Sequence, residues 1–122
     1  MKKVGFAVFY ATLLAALVSC VTHPDQPDRR LTRGAIREAE ASFNRAHVYT
    51  ARGDLHRAIT EYSRGLATLP NSISALTNRG MAHSLMASWD MAIVDFSAVL
   101  LIDPNNVQAR ELLTAAEAMA GQ

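Results

Sequence analysis

Residues able to do chemistry are sparse in this chain, and their spacing suits recognition better than catalysis. Four histidines, His23, His47, His56 and His83, fall in separate stretches with no i, i+4 pair and no cysteine beside them, so they do not make a metal-ligand pattern. Glu38, Glu40 and Glu61 show no paired-acid arrangement of the kind general acid–base work uses. No serine or cysteine nucleophile motif, glycine-rich phosphate loop or basic–aromatic stripe is present. The sequence therefore implies no enzyme, no metal and no cofactor. What remains is one cysteine, Cys20, and two pairs separated by the same interval, Asn44 with Asn78 and Arg45 with Arg79.

Cys20 is placed by what precedes it. Lys2 and Lys3 form a basic start, and Val4 to Val18 is an uncharged, mostly apolar run of 15 residues. That run falls short of the roughly 20 residues a spanning helix needs. Basic residues, then an apolar core, then small residues is the order of a secretory signal. Its end, Leu17-Val18-Ser19-Cys20, resembles the lipobox of bacterial lipoproteins. The resemblance implies cleavage before Cys20, a diacylglycerol on its sulfur and acylation of its amine. At ~0.8 kcal/mol per buried methylene, several such chains hold a protein on a bilayer stably. Residues 1–19 are then a signal peptide and Cys20 the lipidation site. Val21 rather than Asp follows the cysteine, which in Gram-negative lipoproteins implies the outer membrane, facing the periplasm.

The whole chain of 122 residues carries 12 Lys+Arg against 11 Asp+Glu, a formal charge of +1. Without residues 1–19 it holds ten arginines, no lysine and 11 acids, a balance of −1. Neither value draws the molecule to nucleic acid. Residues 20–34 contain Pro24, Pro27 and charges with little to bury, and read as a tether.

The helices that must position the two repeated pairs show themselves through a period. Aligning 39–72 with 73–106 gives nine identities, among them Ala41/Ala75, Asn44/Asn78, Arg45/Arg79, Ala58/Ala92, Leu66/Leu100 and Pro70/Pro104. Ala58, Ile59, Tyr62, Leu66 and Leu69 form a helical stripe, and Ala92, Ile93, Phe96, Val99 and Leu100 repeat it. Pro70 and Pro104 close helices, and Ser72 and Asn106 cap the next ones. Asp54 and Ser88 are the expected caps of the second helix in each unit. The spacing predicts helices over about 36–51, 54–68, 73–86, 89–102 and 106–119.

A 34-residue unit with these landmarks resembles the tetratricopeptide (TPR) family. The implied fold is all-α: a helical-hairpin solenoid over residues 35–122, with two repeats and a C-terminal capping helix. Ala46 and Gly80 on the first helix of each unit, and Ala58 and Ala92 on the second, are the small residues that let a hairpin close. The chain departs from the family at Ser42 and Leu76, where a large residue is usual, and at Arg45 and Arg79, where Leu is common. Gly65 stands in a helix interior at a cost of up to about 1 kcal/mol. Trp89 falls at the family's aromatic position and reads as packing. His83 falls on the packing face. Two repeats and a cap are fewer than the roughly three that stability asks for, which points to a homodimer or dependence on a partner.

In such arrays the first helices line a groove. The resemblance makes Asn44 and Asn78 the leading partner contacts, since an amide offers both donor and acceptor to an extended peptide. His47 and Met81 share that side, Phe43 flanks it, and Arg45 and Arg79 at its margin could pair with an acidic tail. The function this implies is a non-catalytic adaptor, lipid-anchored in the cell envelope, that binds a protein or peptide. The alternative is a structural or assembly subunit of an envelope machine, such as a pilus or secretion channel, held by a permanent interface.

Overall fold

The computed structural model describes residues 31–122. The expected signal peptide 1–19, Cys20 and residues 21–30 of the expected tether lie outside the described residues.

Five helices follow one another, with no strand among the described residues: α1 Arg33–Ala51, α2 Leu55–Thr68, α3 Ile73–Leu85, α4 Trp89–Ile102 and α5 Val107–Ala120. The first bound is a correction. The helix expected from about 36 starts at Arg33, because Thr32 acts as its N-cap and its Oγ1 accepts from the Ala35 amide at 3.1 Å. Arg33 and Gly34, expected in the tether, belong to this helix. Asp54, Ser72 and Asn106 cap α2, α3 and α5 by accepting from the amides of Arg57, Ala75 and Ala109. Ser88 holds the corresponding place before α4 without a side-chain cap bond.

Each helix packs on its successor, so α1–α2 and α3–α4 are hairpins and α5 closes the second. The hairpins close because of what is missing between them. Ala46, Ala58 and Ala92 are fully buried. A Cβ on Gly80 would lie 2.6 Å from Cε1 of Phe96, inside van der Waals contact. Tyr62 in one unit and Phe96 in the other have no exposed surface. One apolar cluster crosses both units, running from Ala46, Ala58, Tyr62 and Leu66 to Leu76, Val99 and Ala109. A second joins Phe96 and Ala92 to Ala116, with Trp89, Ile93, Leu112 and Leu113 partly buried on it.

α5 covers the open edge of the second hairpin with Ala109 and Ala116, both buried. At the places where α3 presents Leu76, Gly80 and His83 to α4, α5 carries exposed Arg110, Thr114 and Glu117. A polar outer face of this kind ends a repeat stack in water.

Both hairpin turns are built alike. Asp54 N–H donates to Tyr49 O and Ser88 N–H to His83 O, each at 2.9 Å, the long bond of a Schellman turn. The left-handed residue in the first is Gly53, φ 76°, and in the second Ala87, φ 56°. Glycine takes that conformation freely, whereas alanine is strained by its Cβ.

Candidate functional site: the amide-lined wall

Asn44 and His47 are exposed on α1, Met81 is exposed on α3, and Asn78 is half-buried. Two shallow depressions separate the asparagines. Asn44 lies with Arg45, Val48, Tyr49 and Arg52 along α1. Asn78 lies between α3 and α5, with Ser74, Thr77, Asn106 and Gln108. Apart from Ile73, the second depression is lined by amides and hydroxyls. Asn106 Oδ1 is taken by the Ala109 amide at 2.9 Å, which turns the Asn106 NH2 into a donor for other groups. Sequence marks Asn106 only as a helix cap and gives Gln108 no role in the wall. The signal was there: Gln108 follows Ser74 by one repeat length. It was hidden because α5 reads as a cap, judged by its packing stripe alone.

His47 is fixed by its neighbour. Tyr62 is fully buried, and its hydroxyl lies 3.0 Å from His47 Nδ1, with the rings edge-on at a centroid separation of 5.6 Å. Burial pushes the Tyr62 phenol above its usual pKa, offset in part by the Thr50 hydroxyl. Phenol and imidazole share this one hydrogen bond, and the ring edge of His47 that carries Nε2 is left for solvent or a ligand.

Three expected contacts are placed differently. Phe43 does not simply flank the wall: its ring is half-buried against Gly65, where any Cβ would overlap it. Gly65 is thus the seat of an aromatic ring as well as a helix-weakening residue. Arg79 is held by Asp95, with Nε to Oδ2 at 2.9 Å and Nη2 to Oδ1 at 2.6 Å. Its Nη1 also donates to Ser63 Oγ on α2 at 3.0 Å. Arg45 donates to Glu61 at 2.9 Å, Glu38 at 3.0 Å and Ser42 at 2.8 Å, while Arg64 closes on the other Glu61 oxygen at 2.9 Å. Both guanidinium groups are committed within the fold because their own hairpins supply carboxylates. A planar fork matches a carboxylate edge.

The remaining histidines divide simply. His83 is buried on α3, as its position on the packing face suggests, and burial lowers its pKa, with Arg79 adding to the effect and Asp95 opposing it. His56 is exposed on α2. His23 and Cys20 lie outside the described residues.

Two stacked hairpins with a 34-residue period and a closing helix are a TPR-type helical solenoid. Solved structures share this fold. The second TPR domain of human RPAP3, in complex with the HSP70 peptide SGPTIEEVD, matches with TM-score 0.67 and 24% identity over 71% of this chain and 72% of that one. The Arabidopsis OM64 TPR domain matches with TM-score 0.65 and 18% identity over 69% of each chain. Among curated proteins, mouse sperm-associated antigen 1 is 29% identical over 93 residues, 71% of this chain. Human mitochondrial import receptor subunit TOM34 is 35% identical over 68 residues, 56% of this chain. The chain spans only 10% of the first and 22% of the second. No family model matches the chain.

Proposed function

We propose that the chain is a non-catalytic adaptor. It captures an extended, uncharged peptide segment on the amide-lined wall of α1, α3 and α5, and is held in the cell envelope by lipid at Cys20. The observation that carries the capture reading is the depression between α3 and α5. There Asn78, Asn106 and Gln108 converge with Ser74 and Thr77, groups that offer donors and acceptors to a peptide backbone without carrying charge. The fold-sharing RPAP3 domain holding an HSP70 peptide supports this use of the scaffold. That peptide ends in two glutamates, valine and aspartate. Here Arg45 and Arg79 already hold carboxylates and the depression between α3 and α5 carries no charged side chain, so that depression favours a segment without acidic side chains. The anchor rests on Leu17-Val18-Ser19-Cys20 and the basic–apolar run before it, and the outer membrane on Val21.

Screening the full chain against a peptide array and titrating the best uncharged peptide by calorimetry tests the capture. Asn78→Ala combined with Gln108→Ala should weaken binding by about ten- to a hundredfold, at ~0.5–1.5 kcal/mol per hydrogen bond. Binding that ignores both changes would sink the wall as the site. Fixed-stoichiometry co-purification untouched by them would point to a structural subunit instead. Cys20→Ala should abolish labelling by radioactive fatty acid; a variant still labelled and membrane-bound would remove the anchor.

A further inference from the structure

The outward faces of the two second helices differ in kind. On α2 that face carries Arg57, Thr60, Arg64 and Ala67. One repeat length later, α4 presents Met91, Val94, Ala98 and Leu101 at the same four places. Met91 is 51% exposed, Val94 59% and Leu101 85%, and Ala98 is half-buried between them. Spaced i, i+3, i+7 and i+10, they make one stripe along α4, continued by Ile102. Isolated exposed apolar residues are ordinary, but a contiguous stripe on one helix is not. It lies away from the amide wall.

We infer that this stripe is the contact face of a homodimer, in which α4 packs antiparallel on α4 of a second copy. Three observations favour a copy of the same chain over other occupants. First, the stripe complements itself under a twofold axis passing near residue 96. Met91 then meets Leu101 of the second copy and Val94 meets Ala98, with the reciprocal contacts required by symmetry. The small side chain at Ala98 lets the helices approach where Val94 is bulkiest. Second, the area is sufficient for a weak dimer. The exposed fractions of Met91, Val94, Leu101 and Ile102 correspond to roughly 450 Å² per copy, so the pair with its polar rim reaches the low end of specific interfaces. Two repeats and one cap have a small core, and association adds burial that a longer array finds internally. Third, the charges disfavour a lipid surface. α4 contains no Lys or Arg; its charges are Asp90 and the Arg79-paired Asp95, and Asp103 follows its last turn. A helix that lies on a bilayer usually flanks its apolar face with cations.

The charge distribution also gives the dimer a signature. Residues 73–122 carry two arginines and five carboxylates, a formal −3, while residues 31–72 carry six arginines and four carboxylates, +2. Pairing through α4 brings the two acidic halves together, so added salt strengthens the dimer by screening them. A contact built on opposite charges weakens instead.

Sedimentation equilibrium of the full chain in density-matched micelles tests this. The expected result is a monomer–dimer equilibrium with a dissociation constant on the order of 10–100 μM. It tightens severalfold between low and high salt, and weakens at least tenfold in Val94→Glu with Leu101→Glu. Both sites face water, so helical circular dichroism should be unchanged in that variant. Separately, Met91→Cys with Leu101→Cys should crosslink two chains above the background of the parent, whose sole cysteine is Cys20. A chain monomeric throughout, a dimer indifferent to the two glutamates, a dimer that salt dissociates, or an absent crosslink would each overturn the inference.

Discussion

The two hairpins share a backbone plan and differ in how tightly it is held. In the second, Arg79 grips Asp95, whose side chain is 2% exposed, and also reaches Ser63 across the boundary between units. In the first, Arg45 meets Glu61 at the equivalent place, but Glu61 is shared with Arg64 and is 11% exposed. The second turn holds a left-handed alanine where the first has glycine. The second unit buries His83 where the first has the half-buried Tyr49, with the Arg57 guanidinium 5.7 Å from its ring centre. Position in the period therefore fixes which residues meet, and burial decides what each meeting is worth.

The arginines should separate the units most widely. Arg79→Met leaves Asp95 buried without its partner, a change of the kind that costs about 3–5 kcal/mol. Arg45→Met leaves Glu61 with Arg64 and some access to water, and should cost much less. Thermal melts of the two variants measure the gap, at roughly 4–8 °C per kcal/mol for a domain this size. Equal losses would mean that burial does not distinguish the two pairs. The turns come next. Ala87→Gly should raise stability by about 0.5–1 kcal/mol and Gly53→Ala lower it by about 1 kcal/mol, both read from urea midpoints. Gains or losses of the same sign at both sites would contradict the strain assigned to Ala87.

The smallest effect is a pH dependence carried by one unit. Burial lowers the pKa of His83 in the fold below the 6.5 of a free histidine. The unfolded chain then binds a proton more readily than the native one, so stability is fully present above pH 6.5 and falls as the pH drops toward and through the native value. His83→Gln should flatten that part of the stability–pH curve, measured by denaturant titration across pH 5–8. Tyr49→Phe, at the equivalent place in the first unit, should leave the slope as it is.

Much of this architecture is legible in the sequence. Pro70 and Pro104 fix the period, Asp54, Ser72 and Asn106 mark helix starts, and Ala46, Gly80, Ala58 and Ala92 mark where helices touch. These are local signals, carried by backbone chemistry or by side-chain size. What stayed hidden lies between helices. Arg45 with Glu61 and Arg79 with Asp95 are both 16 residues apart, a spacing that means nothing within one helix and depends on how a hairpin folds back. The duplication of that spacing one period later was a usable clue. Gly65 was legible only as a weak helix former, because the ring of Phe43 that occupies its missing side chain comes from another helix. At the candidate wall, Asn78 could be placed by repeat position, while Asn106 and Gln108 needed the angle at which α5 closes on α3.

The bond from Arg79 to Ser63 has an evolutionary corollary. It fastens an arginine of one module to a hydroxyl of the module before it, so a 34-residue block cut out and duplicated elsewhere would arrive with half of a fastener. Ser97 already repeats the hydroxyl half at the end of the second module, and Leu113 stands where a following arginine would fall. There Leu113 packs on the second apolar cluster beside Leu112, so the closing helix has exchanged the fastener for burial.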